Sequence, residues 1–108
     1  MPRFQGADLG SHKMNTYTVC IGNSDDKLTQ VSWSDFINKL IAMVDVNAQE
    51  IHFSGHSLPN SPYQMYCIVF VMDGIYLDRL KETLSSLCSR FGQDSIALTA
   101  GKTEFVRW

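Results

Sequence analysis

Residues 65–72 read MYCIVFVM. The run carries no charge, is rich in β-branched and aromatic side chains, and is closed by Asp73-Gly74, so it predicts a strand. Its two alternating sets are Met65, Cys67, Val69, Val71 and Tyr66, Ile68, Phe70, Met72, and both are apolar. A strand with two apolar faces belongs inside a sheet, covered on both sides.

Working outward, TYTVCI (16–21) alternates, with Tyr17, Val19 and Ile21 on one face, and predicts a half-buried strand. Trp33, Phe36, Ile37, Leu40, Ile41 and Val44 recur at spacings of three and four and predict an amphipathic helix ending near Asn47. Ser32 stands where an N-cap is needed, with Asp35 three residues on. EIHFS (50–54) predicts a short strand with Ile51 and Phe53 on one side and His52 on the open side. GHSLPNSPYQ (55–64) predicts a loop broken by Gly55, Pro59 and Pro62. Leu77, Leu80, Leu84, Leu87, Cys88 and Phe91 predict a second amphipathic helix, stopped by Gly92. SIALT (95–99) predicts a strand, AGK (100–102) a turn, and TEFVRW (103–108) a returning hairpin arm or a bulged continuation.

The order is β-α-β-β-α-β, with a possible extra C-terminal strand. By that order residues 16–99 resemble a ferredoxin-like domain, an α+β sandwich with an antiparallel sheet in the order 4-1-3-2 and two helices on one face. The resemblance implies a fold and no activity. In this topology the connections 22–31, 55–64 and 92–95 meet at one end of the sheet, and they are the richest polar clusters in the chain. A polar rim follows, and Asn23, Ser24, Asp25, Lys27, His56, Gln64, Gln93 and Asp94 are its candidate ligand- or partner-binding residues. The same residue types also serve ordinary turn chemistry.

Length and composition set the outer bounds. The chain has 108 residues, 44% hydrophobic and 19% charged, which suits one folded domain. Residues 1–13, MPRFQGADLGSHK, lack periodicity and read as expression-tag residues, leaving 14–108 as a single domain. The full chain has a formal charge of −2; setting aside Arg3, Lys13 and Asp8 makes it −3. An acidic domain without a Lys/Arg cluster argues against nucleic acid and suits a basic protein partner. No apolar run reaches bilayer length, and no secretory apolar region follows the N-terminus, so no membrane role is expected. Three cysteines, Cys20, Cys67 and Cys88, sit in apolar-periodic segments and read as buried free thiols of a cytoplasmic protein.

The chemical motifs are weak. AGKT (100–103) lacks the glycine a phosphate loop needs five residues before its second glycine, because Ile96 stands there. His52 and His56 are four apart on a strand and a loop, which does not converge them on a metal. No cysteine has a visible base beside it. Tyr17, Tyr66 and Phe70 resemble an RNA-stacking platform but have no interleaved cation. No catalytic residue, metal or cofactor is assigned. The expectation is a small non-catalytic binding module with a small polar ligand or a basic protein at the rim. The alternatives are an acidic inhibitor of the toxin-immunity or phage anti-defence type, and a small enzyme using His56 with Asp25 or Asp94. Because the strand at 65–72 is apolar on both faces, a homodimer through the open sheet face is also expected.

Overall fold

The computed structural model describes residues 14–23, 27–102 and 106–107. Its elements are β1 (Met14–Asn23), α1 (Gln30–Asn47), β2 (Glu50–His56), β3 (Gln64–Asp73), a 3-10 turn (Gly74–Tyr76), α2 (Leu77–Arg90) and β4 (Ala97–Gly101). The four strands form one antiparallel sheet in the order β2-β3-β1-β4. This is the expected 4-1-3-2 order read from the other edge, in an α+β chain with two helices. Residues 1–13 and most of the expected arm, 103–105 and Trp108, lie outside the described residues.

The centre of the sheet is the pairing of β1 with β3, in register from Met14↔Asp73 to Asn23↔Gln64. Strand parity then sorts the side chains. Tyr17, Val19 and Ile21 on β1, with Tyr66, Ile68, Phe70 and Met72 on β3, are buried on one face. Both helices cover that face. Trp33, Phe36, Ile37, Leu40 and Val44 of α1 and Leu80, Leu84 and Leu87 of α2 join the same core. Within it Tyr17 stacks on Phe70 at 5.7 Å, and Phe36 stacks on Phe91 at 4.7 Å. Burial of this apolar surface is the main stabilising term.

The helix ends follow local chemistry. The N-cap of α1 is Thr29, not the expected Ser32: its hydroxyl accepts from the Ser32 backbone N–H at 3.1 Å. Both candidates are hydroxyl residues three apart, and Gln30 and Val31 turn out to be helical. Asp35 pairs with Lys39 at 3.4 Å instead of capping. At the end of α2, Gly92 takes φ 64°. Its N–H donates to Ser89 C=O at 3.1 Å, and the Gln93 N–H to Cys88 C=O at 2.9 Å. This is a Schellman stop, and it requires the left-handed conformation glycine adopts without strain.

Three strand expectations are corrected. A bulge between Ile51 and Phe53 switches β2's parity. Ile51 therefore packs toward the core, while Phe53 is 61% exposed on the other face, across from Val69. β4 runs from Ala97 to Gly101, so Ala100 and Gly101 are strand residues paired with Tyr17 and Thr16 instead of a turn. Val106 and Arg107 belong to no strand, and Val106 is exposed.

A further correction concerns the cysteines. Cys20 and Cys67 are opposite one another in the β1–β3 register and are joined as a disulfide, with Cα atoms 4.3 Å apart. Cys88 remains a free, half-buried thiol whose Sγ lies 3.0 Å from Gln93 C=O. The cytoplasmic expectation rested on free thiols, and a disulfide removes that ground. The bridge links residues 47 apart in sequence, and a loop of that length stabilises the fold by restricting the unfolded chain. Reduction, or the paired change Cys20→Ser and Cys67→Ser, is expected to lower unfolding free energy by about 2–4 kcal/mol. Urea denaturation with and without reductant measures this, and an unchanged midpoint counts against the bridge.

Candidate functional site

Asn23 ends β1 on the core-facing parity and is 3% exposed, the one buried polar side chain among the described residues. A buried amide must satisfy its groups within the protein. Its Nδ2 donates to Leu28 C=O at 3.1 Å and to Gln64 Oε1 at 3.0 Å, and its Oδ1 accepts from the Leu28 N–H at 3.0 Å. Gln64, opposite Asn23 in register, also forms a reciprocal amide pair with Gln30 of α1. Gln30 Nε2 donates to Gln64 Oε1 at 3.0 Å, and Gln64 Nε2 donates to Gln30 Oε1 at 2.9 Å. One network thus ties the end of β1, the start of β3, the connection at Leu28 and the first turn of α1. Asn23 and Gln64 hold the rim's shape, and their amides are occupied in doing so.

The remaining rim residues divide between two cavities. The first, about 320 Å3, is bordered by Asn23, Lys27, Tyr63, Gln93, Asp94 and Ser95, with Cys20 and Met65 on its sheet side. The second, about 460 Å3, is bordered by Asn23, Gln64 and His56 together with the 57–63 connection. The topology therefore brings Asn23, Lys27, Gln93 and Asp94 together, and separately Asn23, Gln64 and His56. Ser24 and Asp25 lie outside the described residues.

Each exposed candidate has a local setting. His56 ends β2 opposite Tyr66 and meets that ring edge-on at 5.1 Å. It borders the second cavity, while Asp94 borders the first, so the suggested His56–Asp94 pair is not assembled in either. Gln93 is half-buried, and its Nε2 donates to Phe91 C=O at 3.2 Å. Lys27 and Asp94 are exposed and bring opposite charges to the first cavity. His52 lies 3.6 Å from Glu50 at the bulge, away from both cavities. Among the described residues, no three His, Cys, Asp or Glu side chains are grouped closely enough to hold a metal ion. Nor is any described helix long and apolar enough to cross a membrane.

Gln30 was not anticipated at the rim. The misplaced helix start hid it, because a cap at Thr29 puts Gln30 in the first turn beside β3. Asn23's structural role was visible in the alternation, since 17, 19, 21 and 23 share one parity. No protein-family model matches the sequence, and no curated protein matches it.

Removing Asn23 leaves the Leu28 backbone N–H and C=O without their partner and takes one of two donors from Gln64 Oε1. Asn23→Ala is expected to cost about 1–3 kcal/mol of stability. Asn23→Asp turns an acceptor toward two other acceptors and is expected to cost at least as much at neutral pH. Lys27→Ala and Asp94→Asn change exposed groups and are expected to stay within about 0.5 kcal/mol of the parent. Chemical denaturation of the four variants checks the ordering.

Proposed function

We propose that this chain is a small non-catalytic binding module, on an arrangement we read as ferredoxin-like, whose ligand occupies the first rim cavity. The observation that carries this reading is that Lys27 and Asp94 both border one space of about 320 Å3, together with Gln93, Ser95 and Tyr63. That volume is at the lower end of small-molecule sites. A cation and an anion bordering the same space favour a ligand carrying both charges, such as a free amino acid or a similar small zwitterion. The Asn23–Gln64–Gln30 network supports the reading indirectly, because it holds the cavity wall before a ligand arrives and so reduces the ordering cost of binding. An enzyme is less well supported, because His56 has no bonded carboxylate among the described residues to orient it.

A thermal-shift screen against free amino acids and related small zwitterions tests the proposal. One class is expected to raise the melting temperature. Lys27→Ala and Asp94→Asn should each weaken its binding about tenfold or more, roughly the worth of one lost charge-assisted hydrogen bond, while His56→Ala leaves it unchanged. Binding that survives both rim changes would sink the assignment. Salt-sensitive association with a basic protein, in place of any small ligand, would instead favour the inhibitor reading.

A further inference from the structure

The two edges of the sheet are built differently. β2 carries a bulge at its middle, and Glu50 and His52 pair beside it. Bulges and charges are the usual means by which an edge strand is kept from pairing. β4 has neither. Its five residues, Ala97-Leu98-Thr99-Ala100-Gly101, hold no charge, no proline and no register shift against β1. Among the described residues no strand pairs with its outer side.

The hydrogen-bond phase identifies which backbone groups that outer side presents. The Cys20–Cys67 Cα separation of 4.3 Å is that of a non-hydrogen-bonded antiparallel pair. The Gln49 N–H bonds to Val71 C=O, and the Ser57 N–H to Met65 C=O, so odd-numbered β3 residues turn their backbone groups toward β2. Even-numbered β1 residues then turn theirs toward β4, where Cys20, Thr18 and Thr16 face Ala97, Thr99 and Gly101. The N–H and C=O groups of Leu98 and Ala100 are left pointing outward.

Beside this edge, between α2 and β4, lies a groove of about 740 Å3 bordered by Lys81, Leu84, Cys88, Asp94, Ile96 and Leu98. α2 and β4 run in opposite directions, so Lys81, early in α2, lies toward the end of β4, and Asp94 lies before its start. The groove therefore has Leu84, Cys88, Ile96 and Leu98, together with Ser85 and Ser89, between opposite charges toward its two ends.

We propose that the β4 edge pairs with the β4 edge of a second copy of this chain, about a two-fold axis through Thr99. In an antiparallel pair centred there, Leu98 lies opposite the partner's Ala100 and Ala100 opposite the partner's Leu98. Both are hydrogen-bonded pairs, so all four outward groups on each strand are satisfied. The same axis reverses the groove, bringing the partner's Asp94 to the Lys81 end and the partner's Lys81 to the Asp94 end. Two crossed attractions result, and the uncharged strands meet without like-charge contact. This self-complementarity is what an isologous interface requires. The pairing would make one eight-stranded sheet and leave the open faces of both copies uncovered. It also places a cation from the partner beside the rim cavity that Asp94 borders. The proposal stands independently of what that cavity binds.

Sedimentation velocity of the full chain over increasing concentration tests this. The expected result is a monomer–dimer equilibrium with Kd on the order of 10 µM, as suits a small interface. Ala100→Pro removes one outward N–H while leaving the ladder to β1 intact, and should raise Kd about tenfold or more. Lys81→Glu should weaken the dimer about tenfold at low salt, and adding Asp94→Lys should restore it. Circular dichroism establishes that each variant is folded; if Ala100→Pro is not, the charge exchange decides. A chain that stays monomeric throughout overturns the proposal, as does a dimer that the charge exchange fails to restore. A dimer abolished by Thr18→Lys but indifferent to Ala100→Pro and Lys81→Glu places the copies on the open face, and likewise overturns it.

Discussion

The ten-residue antiparallel register between β1 and β3 is the constraint on which the rest of the structure depends. Strand side chains alternate with a period of two, so a slip of one residue would exchange the two faces completely. In the observed register, Tyr17 meets Phe70 and Ile21 meets Tyr66 beneath the helices. Cys20 meets Cys67 on the opposite side, and Asn23 meets Gln64 at the end. Core, disulfide and rim are three consequences of one alignment. The bridge reinforces it covalently, and the amide network closes it at the end where the polar connections gather.

The rim illustrates how a polar cluster can serve as architecture and, in the proposed reading, as a site. Asn23 is buried and its amide is used by Leu28 and Gln64. It cannot offer a ligand much without releasing them. Lys27 and Asp94 are exposed and border a common space. In the proposed reading, shape and recognition belong to different residues within one cluster, with the rigid members supporting the exposed ones.

Much of this was legible in the sequence, because side-chain periodicity reports directly on burial. Tyr17, Val19 and Ile21, the two helical faces, the sheet order and the glycine stop at Gly92 all follow from local pattern. What escaped depends on information that local pattern does not carry. Ile51-His52-Phe53 alternates perfectly on paper, and only its pairing with β3 reveals the bulge. The Cys20–Cys67 bridge needs the long-range register, since each cysteine separately looks like an ordinary apolar strand residue. Thr29 and Ser32 offer equivalent capping chemistry, and packing of the first helical turn against β3 chooses between them. At the rim, topology correctly gathered Lys27, Gln93 and Asp94, but topology does not say that His56 belongs to the neighbouring cavity.

The register is best measured through the Hα–Hα contacts of the β1–β3 pair. Residues facing each other in non-hydrogen-bonded positions bring these protons close together. A nuclear Overhauser spectrum should therefore connect Thr16 with Val71, Thr18 with Val69, Cys20 with Cys67 and Gly22 with Met65. Strong contacts shifted by one residue, such as Cys20 with Tyr66, would contradict the alignment and with it the placement of the core, the disulfide and the rim.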